Sequence, residues 1–235
     1  MSEVLPFKLA DVAGLSRPRY GNANPEHVRN PFWEYMFRQR RWAYWARKQF
    51  DIQAKFRTPS MGAHRWRDDP EGPVWCFTRF GRTVTTLEFE TVYIAGEHED
   101  HYDPDFCIYN DVVVEDSNGN LDFYVYPSDV FPPTDFHTAT LVGDKIWLIG
   151  SLGYPAMRRI GETQVMRLDT KTFAIEAIET DGDCPGWISR HQAGVDHAGG
   201  EIWVKGGKVC TETELLDNTG VFVLSLTSLQ WRRVS

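Results

Sequence analysis

Asp135-Phe136-His137-Thr138-Ala139-Thr140-Leu141-Val142-Gly143-Asp144-Lys145-Ile146-Trp147-Leu148-Ile149-Gly150 reads as two strands and a turn. Thr138 to Val142 and Lys145 to Ile149 are rich in β-branched and large apolar residues. Gly143-Asp144 between them suits a two-residue hairpin, which needs a residue at positive φ. The unit recurs on both sides. Arg79-Phe80-Gly81-Arg82-Thr83 leads into Val92-Tyr93-Ile94-Ala95-Gly96, and Arg190-His191-Gln192-Ala193 leads into Ile202-Trp203-Val204-Lys205-Gly206-Gly207. Arg82, His137 and His191 are 55 and 54 residues apart, and Gly96, Gly150 and Gly207 are 54 and 57 apart. A period of this size marks a repeat architecture, in which each unit buries its faces against its neighbours.

Each repeat carries four strand signals. They are Val74 to Phe80 or shortly after, Thr91 to Ala95, Asn110 to Val114 and Phe123 to Tyr126 in the first; Thr138 to Val142, Ile146 to Ile149, Gln164 to Leu168 and Phe173 to Ile178 in the second; and Gln192 to Val195, Ile202 to Lys205, Val221 to Leu224 and Trp231 to Val234 in the third. Short turns between them, such as Asn118-Gly119, predict three four-stranded antiparallel meanders and a mainly β fold. Longer loops, 97–109, 151–163 and 208–219, join second to third strands.

Ahead of the repeats the chain is different. Residues 1–72 read as an arm, a helix and a linker, and residues 73–235 as the repeats, about 73–130, 131–184 and 185–235. Asn24-Pro25-Glu26 has the form of a helix start, and Asn30-Pro31 of a second one, with Asn as cap and Pro in the first turn. From Phe32 to Phe50 neither Gly nor Pro intervenes, and Phe32, Met36, Ala43, Ala46 and Phe50 share one helical face, which predicts one long helix. Between Val28 and Phe50 five Arg and one Lys face a single Glu, while the whole chain carries −8. Such a helix docks on its own acidic body, lies on a membrane surface or holds a partner.

The 235 residues are ample for a core, and 42% hydrophobic with 25% charged content is ordinary for a globular protein. A net charge of −8 and a pI near 5.4 argue against coating nucleic acid. No apolar run reaches 18 residues, so no membrane span is expected, and Met1 to Ala13 lacks a basic flank followed by an apolar core. Cys76, Cys107, Cys184 and Cys210 form no Cys-x-x-Cys pair and fit reduced thiols in a cytoplasmic protein.

Tyr109-Asn110-Asp111-Val112-Val113-Val114, the pair Gly206-Gly207, Leu229-Gln230-Trp231, and the segments Pro133 to Ala139 and Ser189 to Ala193 together resemble the kelch motif. The match covers Trp75 to Ser235. It departs at Ala95-Gly96 and Ile149-Gly150, where a Gly pair is expected, and at Phe123 and Ile175, where the fourth strand usually has Trp. The resemblance implies a β-propeller of four-stranded blades, with the glycines set where neighbouring blades approach closely. Three blades fall below the smallest usual ring. The expectation is therefore that the helix covers one free blade face and that a homodimer completes a six-bladed ring.

Glu97-His98-Glu99-Asp100-His101-Tyr102-Asp103-Pro104-Asp105 is the densest ionisable cluster. It fits a solvated acidic loop, a divalent-cation site or a surface for a basic partner. No bound metal or other cofactor is expected. The candidate binding residues are Glu97, His98, Asp100, His101 and Asp103 from this loop, with Tyr154, Arg158 and Arg159 from the next. His137 and His191 repeat in phase, which assigns them to hydrogen bonding between repeats rather than to chemistry. No Gly-x-Ser-x-Gly elbow, phosphate-binding Gly loop or copper-radical constellation of Tyr, Cys and paired His is evident, so no catalytic residue is assigned. The expected function is a non-enzymatic protein-interaction module, in one form an acidic inhibitor or immunity-type protein whose charge speeds capture of a basic partner. The alternative is a small enzyme or carbohydrate-binding protein using the same loops.

Overall fold

The structure is a computed structural model that describes residues 9–52, 72–98, 105–196, 198 and 200–235. It is mainly β. Helices α1 (Leu9–Leu15), α2 (Pro31–Arg38) and α3 (Ala43–Phe50) precede most of the strands, with the short strand β1 (Glu26–Val28) between the first two. Antiparallel sheets follow, and their strands fall close to where the alternation and the turns place them, except that the first runs after Gly81 and Val74 to Phe80 forms no strand. β2 (Thr83–Thr86), β3 (Glu90–Ile94), β6 (Asp111–Asp116) and β7 (Leu121–Val125) form the first sheet, in the order β1-β7-β6-β3-β2. β8 (Thr138–Val142), β9 (Lys145–Ile149), β10 (Val165–Asp169) and β11 (Ile175–Ala177) form the second. The third contains β14 (Gln192–Val195), β15 (Glu201–Lys205), β18 (Val221–Ser225) and β19 (Gln230–Arg233), with β12 (Asp181–Gly182) parallel at its edge. Two small ribbons rise from the loops: β4 (Glu97–His98) with β5 (Cys107–Ile108), and β16 (Lys208–Cys210) with β13 (Trp187–Ser189) and β17 (Leu215–Asp217).

The first strands β2, β8 and β14 are neighbours, so the sheets fan from a common edge. Period-two alternation then gives every sheet two faces to bury. Val92, Ile94, Val112 and Val114 of the first sheet meet Ile146, Leu148, Met166 and Leu168 of the second. Trp147, Ile149 and Val165 on the other side of the second sheet meet Ile202, Val204, Phe222 and Leu224 of the third. The remaining face of the first sheet, with Val113, Phe123 and Val125, is covered by α2 and α3. Trp33 stacks on Trp75 with ring centroids 5.2 Å apart and meets Phe123 edge-on; Phe37 meets Tyr93 and Phe77 edge-on at 5.0 Å each. Phe32, Trp33, Met36 and Phe37 are buried, as the cover role requires.

The segment from Phe32 to Phe50 is two helices rather than the one long helix expected. Arg40 is left-handed at φ 53°, and its N–H bonds to Phe37 O while the Arg41 N–H bonds to Met36 O. That pattern is a Schellman termination, which normally uses Gly. Here the Arg40 guanidinium lies 4.2 Å from the Phe77 ring centroid and 4.9 Å from that of Phe37, and these contacts offset the cost of the conformation. Asn30 caps α2 through Phe32 N and Trp33 N, with Pro31 in the first turn. Asn24-Pro25-Glu26 starts no helix. Glu26 opens β1, which pairs with β7, and the Asn24 side chain exchanges two hydrogen bonds with the Ile175 backbone of β11.

The in-phase residues join the repeats to one another. His137 Nε2 is 2.8 Å from Thr83 Oγ1 and His191 Nε2 is 2.9 Å from Thr138 Oγ1, each linking one sheet to the one before it. Arg82 has the cap rather than a sheet before it; it donates to Phe77 O and lies over the Phe77 and Tyr93 rings. A Cβ on Gly150, at φ +74°, would lie 2.3 Å from the carbonyl oxygen of Ile188 in the next repeat. Gly207 is equally crowded, but by Ser189 and His191 of its own repeat.

Two outcomes follow from these contacts. Trp33→Ala should cost about 3–5 kcal/mol in urea unfolding, because it opens a cavity between cap and sheet that cannot collapse. Burial lowers the pKa of His137 to about 3, with the charge of His191 adding to it, and that of His191 to about 4. Nδ1 of both is buried without a partner, so a proton there is uncompensated. The unfolded chain takes up these protons near pH 6.5, and the folded chain only near 3 to 4. Stability should therefore fall as the pH drops from about 6.5 toward 3. Urea midpoints at pH 7.5 and 5 check this, and a His137→Gln, His191→Gln double variant should show a smaller drop.

Candidate functional site

At one end of the strands, the segments before the first strands and the loops after the second strands surround an open cavity of about 850 Å³. Its position follows from the repeat. Gly81, Phe136 and Arg190 occupy the same phase and all have left-handed backbone, with φ of 61°, 48° and 58°. The Phe136 N–H donates to Gly81 O at 2.9 Å and the Arg190 N–H to Phe136 O at 2.8 Å, which lines up the three segments across the sheets. Phe136 and Arg190 thereby reach the cavity wall side by side, with the Arg190 guanidinium 3.7 Å from the Phe136 ring centroid.

Two carboxyls meet in the wall. Glu97 opens β4, fixed by a main-chain bridge with Phe80 in both directions at 2.7 and 2.9 Å. Asp135 immediately precedes Phe136 and is fully buried. Its Oδ1 accepts from Gly153 N at 2.6 Å and Ser151 Oγ at 3.3 Å. Its Oδ2 has no partner among the described residues other than the Glu97 carboxyl. The Glu97 carboxyl faces it, an arrangement that is stable when one of the two holds a proton. Burial, reinforced by the charge of Asp135, pushes Glu97 up to about 8, with Arg190 and His98 acting in opposite directions to Asp135 on it. Burial also raises Asp135, although the Gly153 N–H and Arg158 pull it partly back. Both carboxyls thus sit above their ordinary range, where perturbed groups in a cleft point to a functional site.

The rest of the wall is aromatic or engaged. Trp42 and Phe80 stand at the rim, 52% and 51% exposed, with Phe106 and Tyr154 further in. Tyr154 Oη accepts from Ile108 N at 2.9 Å and so pins the loop after β9 to β5. Arg158 donates to the carbonyls of Leu152 and Gly153 and reaches the Cys210 sulfur.

Of the residues expected from the sequence, Glu97, Tyr154 and Arg158 are brought together in this cavity. His98, next to Glu97, points away from it into the core. Its Nδ1 is 2.5 Å from Tyr109 Oη and its Nε2 is 3.7 Å from Asp105 Oδ2. Burial works against its charge, yet Cys76 and Asp105 outweigh it and raise its pKa. Arg159 is on the surface, 3.3 Å from Glu162. Asp100, His101 and Asp103 lie outside the described residues. Among the described residues no three His, Cys, Asp or Glu side chains are grouped as metal ligands, and no helix is long and apolar enough to cross a membrane. All four cysteines are free.

Sequence reasoning missed Asp135, Phe136, Arg190, Trp42 and Phe80. The signal for two of them was present as phase, since Phe136 and Arg190 directly precede the repeating His137 and His191.

Carboxyl-selective NMR titration should place Glu97 near pH 8. Asp135→Asn should lower that value while leaving it above the ordinary 4.5, because burial is the larger cause. An unchanged value in the variant would show that Asp135 does not act on it.

No protein-family model matches the chain, and no curated protein matches it either.

Proposed function

We propose that the chain is a non-enzymatic protein-interaction module built on three kelch-like blades arranged as part of a propeller, and that its partner docks over the cavity at Glu97 and Asp135. The observation that carries this reading is the composition of the wall. Exposed Trp42 and Phe80 form an aromatic rim around a floor of perturbed carboxyls, and aromatic side chains at the centre of an interface with charges beneath supply most of the binding energy in protein complexes. Three sheets fanning from neighbouring first strands, each tied to the last by a His–Thr hydrogen bond, support the blade reading. A net charge of −8 favours a basic partner through faster encounter, as for an acidic inhibitor or immunity-type protein.

A homodimer is proposed in a narrower form than ring closure. Since α2 and α3 occupy the free face of the first sheet, a six-bladed ring between first and third sheets is not available to this chain. The side of the third sheet turned away from the second, at the half-buried Trp203, is the surface we assign to a second copy.

A second reading, acid–base chemistry or carbohydrate recognition on a small ligand, is favoured by Glu97 alone, which carries a proton at neutral pH.

Partner capture tests the first reading. The tagged protein and a Trp42→Ala, Phe80→Ala variant are compared by quantitative recovery from native lysate. A stoichiometric partner held by the first and reduced at least about tenfold with the second is expected. Equal recovery would place the interface elsewhere.

A further inference from the structure

We propose that the cavity takes a guanidinium or ammonium side chain of a basic partner, seated between Glu97 and Asp135 in exchange for the proton the two carboxyls share. This rests on the protein-interaction reading and names the chemistry of the residue that enters.

The geometry carries it. Asp135 is fully buried in the cavity wall, its Oδ1 already satisfied by Gly153 and Ser151, and its Oδ2 has only the neighbouring Glu97 carboxyl for a partner. What faces that lone acceptor is a second acceptor, Glu97. Two carboxyls in contact at the floor of a cleft lack one cation between them, and a proton is the smallest that fills the place. An incoming N–H cation satisfies Oδ2 directly and offsets both charges with charge-assisted hydrogen bonds. The Phe136 ring is taken by the Arg190 guanidinium at 3.7 Å from its centroid, and the open aromatic surface for an incoming cation is Trp42 and Phe80 at the rim.

The charges that face the pair decide the sign of each effect. Arg158, which also lines the cavity, bears on Asp135, but its nitrogens are engaged with the carbonyls of Leu152 and Gly153 and with the Cys210 sulfur. Arg190 and His98 bear on Glu97. Arg190, over the Phe136 ring, therefore stands beside the incoming guanidinium and opposes it by charge. Binding releases one proton to solvent. Glu97 gives it up near pH 8, so affinity rises with pH up to that point and is lost below it.

The test uses the full chain and two blocked tripeptides, acetyl-Gly-Arg-Gly-amide and its citrulline counterpart, by calorimetry in two buffers of different ionisation enthalpy. The arginine peptide should bind at pH 8.5 and about 20-fold more weakly at pH 6.5, with about one proton released per peptide at the lower pH. The citrulline peptide should bind at least about tenfold more weakly. Glu97→Gln should weaken the arginine peptide at least about tenfold and abolish the proton release. Arg190→Ala, at an exposed side chain, should leave affinity equal or higher, with circular dichroism confirming the fold. The proposal is overturned if citrulline binds as well as arginine, if neither peptide binds at millimolar concentration, or if Arg190→Ala abolishes binding. That last result would mean that Arg190, and not the pair of carboxyls, holds the peptide. The two readings fail separately. A partner captured equally by wild type and Glu97→Gln leaves the interaction module standing and removes the cation site. Tight arginine binding with no partner lost on changing Trp42 and Phe80 does the reverse.

Discussion

A sheet of this chain is apolar on both faces, and everything else follows from the need to cover them. Alternation puts Val92, Ile94 and Val112 on one side of the first sheet and Val113, Phe123 and Val125 on the other, so a single meander would expose a wide apolar surface. The second and third sheets solve this for one another. The first sheet has no predecessor, and the N-terminal segment substitutes for it with Trp33 and Phe37 packed on Phe123 and Tyr93. The same exchange explains why Arg82 stands in the phase of His137 and His191. A His there would seek the Thr of a preceding sheet, whereas a guanidinium suits the aromatic rings of the cap. Arg79 completes that junction, donating to both carboxylate oxygens of Asp111 while lying over the Tyr109 and Trp75 rings.

The cavity is a consequence of this stacking. Main-chain hydrogen bonds from Arg190 to Phe136 and from Phe136 to Gly81 hold three loop segments in register, so the side chains just before the first strands face one opening. Carboxyls delivered from two repeats, Glu97 and Asp135, then meet where neither has a counter-ion at bonding distance among the described residues. Their raised pKa values are stored repulsion and desolvation, held in place by the rigid sheets around them. A site of this kind responds to a cation and to pH together.

Much of the fold was legible because alternation and turn residues act locally. Eleven of the twelve strands of the three meanders lie within a few residues of where they were expected, the first alone falling at Thr83–Thr86 rather than across Val74 to Phe80, and His137 and His191 make the inter-repeat bonds that their phase implied. What was not legible depends on residues acting against their type. The break at Arg40 has no Gly or Pro to announce it, because cation–π contacts with Phe37 and Phe77 substitute for glycine's freedom. Asn24-Pro25-Glu26 has the letters of a helix start, but pairing with β7 and β11 overrides them. For the site, proximity in sequence misled. His98 and Glu97 are adjacent, yet a two-residue strand sends them to opposite sides, one to the core and one to the cavity. Asp135, far along the chain, is the true neighbour of Glu97.

The central claim is that the cavity at Glu97 and Asp135, and not another surface, is where this protein binds. Hydrogen–deuterium exchange of the chain with and without its captured partner measures this most directly. Protection is predicted at Trp42, at Phe80, around Asp135 and Phe136, and across residues 152–158 and 188–190. Protection confined to the outer face of the third sheet, around Trp203 and Val223, with the cavity unchanged, would contradict the account.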